Sequence, residues 1–340
     1  MFMKKIIAVA ALVLCSSFVG SSAVGATGTA KDIRFAVLAP EGSTWVNLMK
    51  IFSDELKQKS KGSVNFKIFP GGISGDEFDV IRKMRMGKID SAGFTGVGLG
   101  QILPAIRVLE IPRLFDNYQE VDYVSNKLRP FFEQELDKKG YVLLGWAEVG
   151  FVNMFSNKKL DSLSSLNGVK MWAWEGDPLA KELFTQLKLV PNPMPVTDVF
   201  TSLQTGLINA VYVSPLAAIA MQWFTKTKYM TTLKITDAAG AILMTKSSFN
   251  KLSPADQKLL RAETDTFCKK LITESRKDND KAYNTLKKNG VQFVDMNKAD
   301  TIKFDEISKS VWKSLVGKLY DQKTLDLALK YRDEYRKNKK

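Results

Sequence analysis

The chain has 340 residues, a formal charge of +14 and no histidine. Counting alone excludes a Ser-His-Asp triad, a Cys-His pair and a His-ligated zinc site. A disulfide framework is not expected either, because one of the two cysteines, Cys15, lies in a leader-like segment and leaves only Cys268.

That leader opens the chain. Lys4 and Lys5 precede an apolar run, Ile6 to Leu14, and small residues follow up to Ala26. The pattern is that of a secretory signal peptide over residues 1–26, cleaved after Ala26 or, alternatively, after Ala23. Leu14 stands before Cys15 where a lipid attachment site wants a small residue, so lipoprotein anchoring through Cys15 is not favoured. Removal of the leader takes two lysines and no acids and leaves a charge of +12. The surplus lysines are scattered among Asp and Glu, which reads as a solvated surface rather than a nucleic-acid face.

The spacing predicts a strand over Ile33–Leu38, a turn at Pro40–Gly42 with Ser43 as helix N-cap, and an amphipathic helix over Trp45–Lys61. A strand over Val64–Phe69, a helix over Asp76–Met86 and a strand over Ile89–Phe94 follow. This β-α-β-α-β order predicts a largely parallel sheet covered by helices. The rhythm restarts near Gly140, with strands over Tyr141–Trp146, Val149–Phe155 and Val169–Trp174. A helix over Pro178–Leu187, another ending at Gly206, and strands over Leu207–Val213 and Ala241–Thr245 complete a second α/β lobe. Charge-rich helical periodicity fills Pro254–Lys288 and Lys298 to the end. The division expected is lobe 1 over 27–150 plus about 239–280, and lobe 2 with the C-terminal helices over 151–238 plus about 281–340. Ligands of such α/β lobes sit at the carboxyl ends of the strands.

Several segments together resemble the solute-binding proteins of tripartite ATP-independent periplasmic (TRAP) transporters, the DctP-like family. They are Phe35-Ala36 with Pro40-Glu41-Gly42-Ser43-Thr44-Trp45, Phe69-Pro70-Gly71-Gly72 with Gly75, and Ile111-Pro112-Arg113-Leu114-Phe115. Gly145-Trp146 with Gly150-Phe151, Leu166-Asn167-Gly168-Val169-Lys170 and Leu203-Gln204-Thr205-Gly206 continue the order. The resemblance implies a two-lobe periplasmic-binding-protein-like α/β fold, a ligand cleft between the lobes and a long helix spanning both. It implies a periplasmic, non-enzymatic protein that hands a small molecule to a small and a large integral membrane subunit. No cofactor or metal is implied, and nucleic acid is not a partner.

The family usually holds a ligand carboxylate with arginines at two positions, which are Trp172 and Val152 in this chain. This places the sequence near a branch that lacks the arginine and has a more hydrophobic cleft, in some members of which a tetratricopeptide-repeat partner accompanies the binding protein. The expected ligand is therefore an apolar or aromatic small molecule. The alternative is an organic acid held by a displaced arginine, among Arg82, Arg85, Arg107 and Arg113; Arg113 is the most interesting, because the family often has an apolar residue there, although a surface or interlobe role is favoured for it. A secreted carboxylate-based hydrolase and a structural or adhesion role are the remaining classes.

Trp172 and Trp174 alternate on one strand and share a face. Trp172 reads as a cleft wall, while Trp174 and Phe94 fit a cleft or a core equally. Val152 and Phe151 are cleft candidates through the resemblance. Tyr212 offers a hydroxyl to a ligand or sits at a lobe boundary; Glu41 and Ser43 line a helix entrance.

Overall fold

The computed structural model describes residues 31–339. The leader, its cleavage site and Cys15 lie outside the described residues. In chain order the first half runs β1 (Lys31–Ala36), α1 (Thr44–Lys59), β2 (Val64–Phe69), α2 (Glu77–Arg85), β3 (Ser91–Thr95), α3 (Gly96–Ile102), a 3-10 helix (Pro104–Glu110), α4 (Tyr118–Lys138), β4 (Tyr141–Phe151) and β5 (Asn153–Ser156). The second half runs β6 (Trp172–Trp174), α5 (Pro178–Gln186), β7 (Asn192–Met194), α6 (Val199–Thr205), β8 (Ala210–Val213), α7 (Pro215–Ala220), β9 (Tyr229–Thr231), β10 (Asp237–Thr245), α8 (Lys246–Phe249), α9 (Pro254–Lys288), β11 (Gln292–Val294), α10 (Lys298–Ser314) and α11 (Gln322–Asn338).

The first lobe is built on a five-stranded sheet of order β2-β1-β3-β10-β4. β1, β2 and β3 are parallel, as the alternation of strand and helix requires, while β10 runs antiparallel between β3 and β4. The second lobe holds a four-stranded sheet, β11-β9-β5-β8, and the short parallel pair β6-β7. The local signals work as expected at several ends. The Ser43 hydroxyl accepts from the Val46 N–H to cap α1, and Gly206 closes α6 at φ 75°, a left-handed angle that glycine adopts without strain.

Three crossings join the lobes before the final helix, which makes a fourth by returning to the first lobe. β4 runs into β5 through Val152, and the chain returns from β9 to β10 through Ile235 and Thr236. These two crossings pair, with the Val152 N–H donating to Thr236 O at 2.8 Å and the Ile235 N–H donating to Val152 O at 2.8 Å. The third crossing is α9, a helix of 35 residues. Its Leu260 and Phe267 are buried in the core under the first sheet, and its Leu286 is buried in the core of the second lobe. Midway, Asn279 accepts from the Leu216 N–H and donates to Val149 O, so one side chain ties the helix to both lobes. The expected β-strand over Val149–Phe155 is instead split at this crossing. The final helix differs from the expected division, since α11 packs on α4 of the first lobe, where Arg336 pairs with Glu120 and Asp116.

α9 approaches β4 closely at Gly145. A Cβ built there would lie 2.5 Å from Cys268 Sγ, inside any normal contact. Gly145→Ala is expected to cost about 1–3 kcal/mol in urea unfolding through overpacking. The double variant Gly145→Ala/Cys268→Ala should recover part of that loss. A fully additive pair would show that the two sites do not press on each other.

Candidate functional site

A cavity of about 510 Å³ opens between the lobes at the carboxyl ends of β1 and β3. Loop 37–44 leads into α1 on one side, and β6, β8 and the start of α7 face it from the other. The wall is mostly hydrocarbon and aromatic. Trp172 stacks on Tyr212 with ring centroids 5.1 Å apart, meets Trp223 edge-on at 5.3 Å, and lies 5.7 Å from Trp174. The indole N–H of Trp172 donates to Met194 O, so that its ring is fixed in place. Trp174 is held from the opposite lobe, because its Nε1 donates to the Asp76 carboxylate at 3.0 Å. The same carboxylate accepts from the Val196 N–H at 3.1 Å.

The polar centre of the cavity is Arg107, on the 3-10 helix, which is 4% exposed. Its Nη2 donates to Asp177 Oδ2 at 3.0 Å, across the cleft. Its Nε lies 3.0 Å from Glu110 Oε2 without hydrogen-bond alignment. Among the described residues no partner is found for Nη1. Burial pulls the guanidinium's pKa down, but Asp177 and Glu110 beside it outweigh burial, and it stays charged. Burial pushes the Glu110 carboxyl up to about 7, against the pull of Arg107. Burial likewise holds the Tyr212 phenol well above its ordinary range. Glu77, also on the cavity wall, accepts from the Thr95 N–H and hydroxyl and from the Gly98 N–H, yet full burial pushes it up to about 8.

The structure brings seven of the sequence candidates to the cavity: Trp172, Trp174, Val152, Phe94, Tyr212, Glu41 and Ser43. Glu41 lies at its exposed rim, paired with Lys50. Phe151 is a correction. It is buried but does not line the cavity, packing instead on Tyr118 at 4.8 Å under the ammonium of Lys234. Arg113 does not reach the cavity. It pairs with Asp305 of α10 and donates to Lys234 O, outside the cavity. Arg82 pairs with Asp79 on the surface, and Arg85 is exposed. Of the four arginines only Arg107 lines the cavity. Sequence reasoning missed Glu110 and Asp177. Asp177 carries a signal of its own, an Asp-Pro helix start that the structure confirms as the N-cap of α5, but that signal says nothing of Arg107. Among the described residues no group of three or more His, Cys, Asp or Glu is placed to hold a metal.

Glu77 sets a pH dependence. Folding holds a proton that the unfolded chain releases near its ordinary value of 4.5, so its contribution to stability declines as pH rises from there to about 8. Glu77→Gln removes that titration. Between about pH 5 and about pH 8 the variant's unfolding free energy should shift upward relative to the parent's. A constant gap across that range would place Glu77 in its charged form.

A profile of the bacterial extracellular solute-binding protein family 7, DctP, matches residues 35–319. A solute-binding protein of Roseobacter denitrificans is 28% identical over 295 residues, covering 85% of this chain and 88% of its own. The 2,3-diketo-L-gulonate-binding periplasmic protein YiaO of Escherichia coli is 24% identical over 270 residues, covering 78% and 81%. The crystal structure of the sugar acid binding protein DctPAm from Advenella mimigardefordensis, in complex with galactonate, superposes with a TM-score of 0.85 at 21% identity, covering 90% of this chain and 98% of that one. Its fold is the two-lobe fold described above. With the family profile spanning most of its length, the chain belongs to the DctP family of TRAP transporter solute-binding proteins and is a transport protein, not an enzyme.

Proposed function

We propose that the protein works in the periplasm after export, captures a small organic acid with an apolar or aromatic body, and delivers it to the small and large membrane subunits of a TRAP transporter. The observation that carries this reading is Arg107, a buried guanidinium in an otherwise largely apolar cavity wall, with Nη1 unpartnered among the described residues. A planar guanidinium edge matches a carboxylate and gives short, charge-assisted hydrogen bonds. The Escherichia coli relative is named for 2,3-diketo-L-gulonate and the Advenella structure holds galactonate, both acids, which supports an acid over a purely apolar ligand. The displaced arginine of this reading is Arg107 rather than Arg113.

The rest of the wall argues for less hydroxyl than a sugar acid carries. Each ligand hydroxyl buried without a partner costs free energy, and Trp172, Phe94, Val152 and Leu183 supply none. Their area favours a hydrocarbon or aromatic body instead. A second reading, a neutral apolar ligand, is favoured by one observation: Glu110 and Asp177 already face the charge of Arg107.

Benzoate, phenylacetate, 4-methyl-2-oxopentanoate and galactonate separate these readings, with toluene and benzyl alcohol as neutral counterparts. In thermal-shift and calorimetric titrations the first three are expected to bind more tightly than galactonate and the neutral pair. Arg107→Gln should weaken them about 10- to 100-fold, the worth of a hydrogen bond to a charged group. Trp172→Ala should weaken benzoate about tenfold through the lost aromatic contact while leaving the small acid pyruvate little changed. Equal binding of neutral and ionised compounds, unaffected by Arg107→Gln, would establish the neutral reading.

A further inference from the structure

We propose that Glu110 is the residue that sets this site for monocarboxylates: the ligand's carboxylate enters together with one proton, which lodges on Glu110. The inference rests on the reading of Arg107 as the carboxylate anchor.

It follows from charge and geometry. Arg107, Glu110 and Asp177 are 4%, 6% and 5% exposed, so water screens none of them well. Without ligand they amount to one positive and two negative groups. A bound carboxylate would make three negative groups around one guanidinium. Buried like charges so close together cannot all stay ionised, and one carboxyl takes up a proton.

The geometry selects which one. Asp177 accepts an aligned hydrogen bond from Arg107 Nη2 and another, at 3.0 Å, from the Leu179 N–H at the start of α5. Both its oxygens are therefore met by donors that favour the ionised form. Glu110 accepts from the Ala239 N–H at 2.8 Å through Oε1, but its Oε2 faces Arg107 Nε without hydrogen-bond alignment. That oxygen has room in its bonding for a proton. Glu110 also cannot swing clear, because its carboxyl rests against the start of α3, where a Cβ on Gly96 would fall 2.0 Å from Oε2. Its position requires glycine at 96.

The other groups around Glu110 add no compensating cation. α5 brings Asp177, β8 brings Tyr212, and β10 brings Asp237, whose own carboxyl is buried and pushed upward. The adjoining turn of α3 is Gly-Val-Gly. Among the described residues Arg107, on Glu110's own element, is the one cation bearing on it. Burial already lifts Glu110 to about 7, so the proton costs little near neutral pH. The solvent supplies it. A dianion, such as a dicarboxylate or a phosphate monoester, would bring a further buried negative charge beside Asp177, whose donors hold it ionised, and is rejected.

Isothermal titration of the mature wild-type protein with benzoate and with 4-methyl-2-oxopentanoate, in phosphate and in Tris, counts the protons directly. At pH 8 close to one proton should be taken up per acid bound, and affinity should be about tenfold lower than at pH 6. Phthalate should bind at least about 100-fold more weakly than benzoate. Glu110→Gln keeps an acceptor for the Ala239 N–H; it should bind benzoate with no proton uptake and no pH dependence over that range. Tight wild-type binding at pH 8 with no proton uptake would overturn the proposal, as would uptake that persists in Glu110→Gln. The wild-type proton count stands by itself should the variant fold poorly. Failure of both acids to bind at any pH would instead overturn the anchor reading, and with it this proposal.

Discussion

The buried guanidinium of Arg107 bridges the two lobes, and the cleft takes its shape around that bridge. One hand of the bridge is Glu110 on the same 3-10 helix; the other is Asp177, the N-cap of α5 across the cavity. Such a cluster adds little net stability, because desolvating three charges costs about as much as their attraction returns. Its value is positional. Removing any one member strands the others in a low-dielectric interior, so the lobes can meet in only a narrow set of arrangements. Asp76 works to the same end at the other rim, taking the indole N–H of Trp174 and the backbone N–H of Val196 from the second lobe while it caps α2 in the first.

The aromatic wall depends on those contacts. Trp172 stands on a strand of three residues paired with a strand of three, too little backbone to hold an indole rigid by itself. It is held by stacking on Tyr212, by the edge of Trp223 and by its own bond to Met194 O. Tyr212 in turn packs against Phe184 and accepts from the Trp174 N–H. The hydrophobic side and the ionic side of the cavity therefore meet at Tyr212, whose ring belongs to one and whose hydroxyl faces the other. A ligand with an apolar body and a single charged end fits that division better than one that is polar all round.

Much of this was legible in the residues, and unevenly so. The first β-α-β-α-β run was readable because alternation, caps and glycine stops agree there; Val64–Phe69 matches to the residue. β10 was read only from Ala241, since its first residues, Asp237 to Gly240, carry a buried acid, two alanines and a glycine rather than an alternating pattern. Helix α4 went unread, with Pro130 and eight charged side chains hiding its apolar face. At the cavity, Trp172 and Val152 stood out because they replace arginines in the family pattern. Arg113 drew attention for a similar reason, and the fold sends it to Asp305 instead. The ionic centre was out of reach. Arg107 and Asp177 are 70 positions apart, and neither local sequence signals a partner in the opposite lobe.

Where the resemblance implies arginines at two cleft positions, this chain has Trp172 and Val152, and the guanidinium of its cavity is Arg107. At an open strand position a guanidinium can hold a ligand anion with little competition from the protein. On the 3-10 helix, Arg107 is already shared between two carboxylates, so any ligand anion must fit into a local charge balance that is set in advance. Discrimination then comes less from how strongly the arginine attracts and more from how much further negative charge the pocket tolerates. Hydrocarbon around the anchor sharpens this, because a second charge or an unpartnered hydroxyl on the ligand would find neither water nor a donor there. The overall excess of lysine lies on the outer surface, where solvent screens it, whereas the charged groups of the cavity, Arg107, Glu110 and Asp177, are buried in a largely apolar wall.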